Sequence, residues 1–124
     1  MRRVFQLLLS ILLVFQIQCV IASDDLYSFY YNGESEFISR FNASLKSYAK
    51  SKDIDLEMFD AKNSSSVQLN QIYAEVSSKD PLIINLVDTD KAADIIYHAK
   101  SYRNRIVFFN RKPSDEIFRK YDRV

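Results

Sequence analysis

One glycine, Gly33, serves the whole chain. Loops that cradle phosphate need several glycines at fixed spacing, so that backbone N–H groups can approach the ligand. Neither common type can be built here. One cysteine, Cys19, leaves no internal disulfide to staple a domain. One histidine, His98, stands mid-helix in the sequence pattern with no cysteine or second histidine near it. That is too little for a metal centre or a nucleophile–base pair, so no enzyme is expected. Charge of one sign is scarce as well: 17 basic side chains face 16 acidic ones. No basic stripe grips a phosphate backbone, which excludes nucleic acid as a partner. No unbroken apolar run approaches the ~18–20 residues that a spanning helix needs.

What is present begins with an address. Arg2 and Arg3 precede the apolar segment Val4–Phe15, and Val20-Ile21-Ala22 supplies a small-residue cleavage pattern. This order is that of a secretory signal peptide cut after Ala22. Gln6, Ser10, Gln16 and Gln18 interrupt the segment and argue against a retained anchor. Cys19 offers lipid attachment as a minor alternative, although Gln18 is bulky for that signal. The expected organisation is a signal peptide over 1–22 and one domain over 23–124, with no stable membrane span after cleavage. The mature part has 102 residues, with 15 basic and 16 acidic side chains. About 100 residues make a single domain with a modest core.

The mature part alternates strands and helices. Leu26–Tyr31 is a β-prone run closed by Asn32-Gly33, a turn signal. Phe37, Phe41, Leu45 and Tyr48 follow at helical spacing, widened by Ile38 and Ala49, with Ser35 as N-cap. Ile54–Phe59 alternates like a half-exposed strand. Asn63–Ser66 leads into a helix bearing Leu69, Ile72, Tyr73 and Val76 on one face. Leu82–Val87, opened by Pro81, reads as a buried strand. Asp88 or Thr89 caps a third helix with Ala92, Ile95, Ile96 and Ala99. Asp88 and Asp90 are better explained by that cap than as a carboxylate pair. Arg105–Phe109 is the next strand, and Ser114–Val124 begins a further helical turn or loop. Strands alternating with helices of this length imply βαβ units and a parallel sheet. Asn42-Ala43-Ser44 and Asn63-Ser64-Ser65 fit the glycosylation pattern, which is expected to be idle in a bacterial product.

The segment Ile106-Val107-Phe108-Phe109-Asn110-Arg111-Lys112-Pro113-Ser114 carries the most information. Four apolar residues stop at Asn110. A continuous apolar run reads as a strand buried on both faces. A polar amide at its end then lies at the carboxyl edge of the sheet, where ligands of open α/β folds bind. An Asn side chain donates and accepts, which suits a hydroxyl that does both.

These residues resemble a family. Met58–Asn63, Gln68–Ile72, Ile84-Asn85-Leu86-Val87-Asp88, and above all Val107–Asn110 with Pro113-Ser114, are similar to the N-terminal lobe of periplasmic sugar-binding proteins of ABC transport. The galactose/glucose-binding group is the nearest likeness. The resemblance implies an incomplete α/β lobe of the type I periplasmic binding protein fold, with a parallel sheet of βαβ units. It implies a periplasmic protein that binds a monosaccharide of the galactose or glucose class and serves an ABC permease and a chemoreceptor. At the matching positions, Phe37 would stack on the apolar face of a sugar, and Asn110 and Arg111 would hydrogen-bond its hydroxyls. Ser35 stands where the family has an aspartate; a hydroxyl is the weaker acceptor, since charge-assisted hydrogen bonds are roughly twice as strong as neutral ones. No cofactor is expected, because the family's calcium loop lies in the second lobe. That lobe is absent from these 124 residues, so the expectation is a truncated, split or decaying product. The alternative is a vestigial or interaction product without sugar affinity.

Overall fold

The computed structural model describes residues 25–76 and 79–121; the signal peptide expected over 1–22, with Cys19, and the last three residues lie outside them. The first run forms strand β1 (Asp25–Tyr30), followed by helix α1 (Glu36–Ser51), β2 (Asp55–Asp60) and α2 (Ser65–Glu75). Then come β3 (Leu82–Ile84), a 3-10 turn (Thr89–Lys91), α3 (Ala92–Tyr102), β4 (Ile106–Phe108) and α4 (Asp115–Tyr121). The four strands form one parallel sheet in the order β2-β1-β3-β4. Tyr27 lies opposite Leu82, and Ile84 opposite Phe108. The chain first steps from β1 to β2 and then returns past β1 to β3. Strand order therefore reverses between β1 and β3, and the loops at their carboxyl ends diverge there. That divergence is where open α/β sheets form their ligand crevice.

The core is the face shared by the sheet with α2 and α3. Tyr27, Phe29, Leu82, Ile84 and Leu86 meet Ile72, Val76, Ala92, Ile95 and Ala99, all buried. Phe59 stacks on Phe29 at 4.9 Å. Side chains alternate along a strand, so Ser28, fully buried, faces the other way, where α1 packs. The helices start and stop for local reasons. The Ser64 hydroxyl accepts from the Val67 N–H at 3.3 Å, and Asp88 Oδ1 accepts from the Asp90 N–H at 2.9 Å. Arg103, at φ 63°, turns the chain out of α3.

Three sequence expectations change. First, α1 buries Ile38, Asn42 and Ala49, whereas Phe37 and Tyr48 are 54% and 56% exposed. The buried stripe is rotated by one residue, about 100°, from the aromatic one. Both stripes have helical spacing, and the small and branched residues are the ones that fit under the helix. Second, β4 is not buried on both faces. It is one of the sheet's two edges, and Val107 is 59% exposed because no described element covers it there. Third, the run Leu82–Val87 is strand only to Ile84; Asn85 and Leu86 are buried as loop. Burial makes a segment apolar whether or not it pairs. The tail forms the helix α4, with Phe118 edge-on to Phe108. His98 packs between the rings of Tyr73 and Tyr102. Asn42 of the first glycosylation pattern is buried, while Asn63 of the second is exposed.

Candidate functional site

The carboxyl edge is built on Asp60, the last residue of β2. Its Oδ2 accepts the Gly33 N–H at 3.1 Å, and its Oδ1 accepts the Lys62 N–H at 2.8 Å. Its backbone carbonyl accepts from Gln71 Nε2 at 3.0 Å. A Cβ on Gly33 would sit 2.8 Å from Asp60 Oδ2 and 3.2 Å from the Tyr30 ring. The single glycine is thus where the loop after β1 must lie against a carboxylate. Lys62 and Asn63 both take left-handed φ values, and the Asn63 N–H reaches the Tyr31 carbonyl at 2.7 Å. The Asn32 side chain accepts from the Glu34 N–H at 2.9 Å, forming an Asx turn that leads into α1. Burial, and then the Asp60 charge, raise the Tyr30 hydroxyl above its ordinary pKa, so it stays a neutral phenol at physiological pH.

This turn positions two of the residues singled out from sequence. Ser35 is the N-cap of α1, with φ −63° and ψ 127°, and its hydroxyl makes no capping bond. Phe37 stands in the first turn of the helix with its ring half in solvent. One turn later, Phe41 stacks on Phe109 at 4.1 Å and 20°. Residues four apart share a helix face, so Phe37 lies one turn beyond this stack, toward the helix N-terminus.

The other two residues sit on the loop after β4. Asn110 is exposed and left-handed, with φ 58°. The Arg111 N–H closes a tight turn onto the Phe109 carbonyl at 2.6 Å. The Arg111 guanidinium reaches across the end of β3 to lie over the Tyr31 ring, 5.2 Å from its centroid. The loops after β1 and β4 therefore meet over the point where strand order reverses. A guanidinium attracted to a ring face can still donate hydrogen bonds from its N–H groups.

Sequence reasoning did not assign the buried amides beneath these loops. Gln68 Nε2 donates to the Asn85 carbonyl at 3.0 Å, and Gln68 Oε1 accepts the Val87 N–H at 2.9 Å. Asn85 donates from its backbone to the Phe29 carbonyl at 2.8 Å and from Nδ2 to the Phe109 carbonyl at 3.0 Å. The available signal was a polar residue inside the apolar run Leu82–Val87; a buried amide must find partners. Tyr31 and Phe41 were visible only as strand and helix residues. An open groove of about 540 Å³ between α3, β4 and α4 is lined by Ile96, Ile106, Phe108 and Phe118 among others, and draws no residue from the loops described above.

No family model matches the chain. Among solved structures, it is similar to an ABC transporter solute binding protein from Bacillus halodurans C-125, determined with bound myo-inositol. The TM-score is 0.66 at 26% identity, over 73% of this chain and 32% of that one. The chain thus spans about a third of that protein's length. With its parallel sheet and flanking helices, the described part has the α/β architecture of a periplasmic binding protein lobe.

Proposed function

We propose that the chain is an exported solute-binding lobe whose sheet edge takes one face of a sugar or cyclic polyol. One observation carries this reading. The loops after β1 and β4 converge at the switch point of a parallel sheet, Arg111 over Tyr31, with an exposed ring, Phe37, in the first turn of the helix that follows one loop and an amide and a guanidinium on the other. The ligand's C–H face would rest on Phe37, and its hydroxyls would meet Asn110, Arg111 and Ser35. The similar protein from Bacillus halodurans holds a cyclic polyol, which supports the ligand class. Within that class we favour a galactose- or glucose-like sugar, on the sequence resemblance. The same resemblance suggests a periplasmic product starting at Ser23 and delivering its ligand to an ABC permease and a chemoreceptor. No cofactor and no reaction enter this reading. A second reading, association without sugar affinity, draws on the bare edge at β4, where Val107 is exposed on one sheet face and the groove opens on the other.

Calorimetric titration of the mature chain with D-galactose, D-glucose and myo-inositol tests the proposal, alone and in a version extended by a second lobe from the family. Binding by either form, lost in Phe37→Ala and Asn110→Ala, is the expected result. If the extended form binds and Asn110→Ala binds equally well, the site is misplaced. Absence of binding in both forms favours the second reading.

A further inference from the structure

We infer that Asn85, held by Gln68, is the positioning residue that sets the turn presenting Asn110 and Arg111. The Phe109 carbonyl accepts two donors, Asn85 Nδ2 and the Arg111 N–H. A carbonyl oxygen has two lone pairs, so this one is fully used. The second bond closes the turn through Asn110, whose left-handed backbone is disfavoured for a residue with a Cβ. The first bond fixes the direction of the carbonyl on which that turn closes.

Asn85 is itself held from two sides. Its own N–H bonds Phe29 at the end of β1, and its carbonyl takes the Gln68 amide from α2. Gln68 is 3% exposed and Asn85 is fully buried, so water does not compete for these bonds. One lattice of amides thereby ties α2 and the ends of β1, β3 and β4 to the loop that carries Asn110. The bonds of these side chains end on backbone groups, the Asn85 and Phe109 carbonyls and the Val87 N–H, which no apolar side chain could satisfy. Directional amides at this spot do what apolar side chains cannot, which is to orient a particular carbonyl. The role rests on the proposed sugar site only for its ligand arm, because the turn is measurable without ligand.

The test is amide hydrogen exchange by NMR on the full chain and on Asn85→Leu, which keeps the shape and removes the donor. The Arg111 amide reports the turn. The Leu82 amide, bonded to the Arg105 carbonyl at 2.9 Å, reports the sheet at its other end. We expect Arg111 exchange to rise about tenfold or more while Leu82 is unchanged. Gln68→Leu should give a smaller rise in the same direction, and it decides the matter if Asn85→Leu does not fold. Unchanged Arg111 exchange, or Arg111 and Leu82 rising together, overturns the inference. Titration with D-galactose and myo-inositol follows on the same samples. Selective loosening with about tenfold weaker binding supports both readings. Selective loosening in a chain that binds neither compound keeps the positioning role and removes the sugar site.

Discussion

At the residue scale, backbone geometry separates what a side chain does from what its position demands. Asn110 has φ 58°, a conformation glycine adopts without the Cβ penalty. Asn110→Gly should therefore keep or slightly raise the melting temperature while removing the amide. Asn110→Ala should lose both. If the amide contacts a ligand hydroxyl, each variant weakens sugar binding by about 1–3 kcal/mol, roughly ten- to a hundredfold. Equal affinity in wild type and Asn110→Gly would show that the amide touches nothing. Gly33 is the opposite case, since proximity and not φ excludes a side chain there. Gly33→Ala puts a carbon 2.8 Å from Oδ2 of Asp60, a carboxylate whose two oxygens each accept one backbone amide. We expect a loss of about 1–3 kcal/mol in chemical denaturation, from the clash and the weakened hydrogen bond. An unchanged midpoint would mean that the loop yields freely. The sequence showed Asn32-Gly33 as a turn and Asn110 as a polar stop. It did not show Asp60 beneath the first or Asn85 beneath the second, because those partners lie 27 and 24 residues from the groups they bond.

At the scale of elements, all four strands and the three longer helices were legible from periodicity, with boundaries moving by a few residues. Which face of α1 goes inside was not legible. Two adjacent stripes satisfy a 3.6-residue period, and the aromatic one looked the more hydrophobic. Burial chose Ile38 and Ala49 and left Phe37 and Tyr48 outside. This makes a paired prediction. Ile38→Ala opens a cavity at a fully buried position and should cost about 2–5 kcal/mol. Phe37→Ala removes a ring that is already 54% exposed, and should cost under about 1 kcal/mol, in the range of surface substitutions. Urea midpoints of the two variants decide the rotation of the helix, and the reverse order of costs would refute it. The same result bears on function: a large apolar ring that contributes little to the fold is available to a ligand. At β4 the sequence misled for a related reason. Val107 is apolar and β-prone, but the layer that would cover it lies in no described element, and no local pattern reports that.

For the whole molecule, the parallel α/β architecture followed from the alternation of strands and helices. Strand order did not, since the return past β1 is a long-range choice. Two consequences follow for the assembled sheet. An edge strand with Val107 exposed on the face that no described element covers is an association hazard. Val107→Lys should lower self-association in sedimentation velocity with little change in melting temperature; unchanged association would place the sticky surface elsewhere. The second consequence concerns alkali. Burial is the main cause that raises the pKa of Tyr27, Tyr30 and Tyr73, with carboxylates adding to it: Glu75, Asp80, Asp25 and Glu57 at Tyr27, Asp60 at Tyr30, and Asp94 at Tyr73. An unfolded tyrosine ionises near pH ~10, before these folded ones do. The unfolded chain therefore loses protons first as pH rises, and the linkage sign makes alkali destabilising. The tyrosine contribution is fully present below pH ~10 and is lost as pH climbs through the raised folded values. Melting temperature should thus be insensitive to these groups up to about pH 9 and then fall. Tyr30→Phe cannot ionise, so its curve should fall less steeply above pH ~10 than that of the wild type. Parallel curves would mean that the Tyr30 hydroxyl titrates alike in both states, and that the edge between Gly33 and Asp60 is open to water.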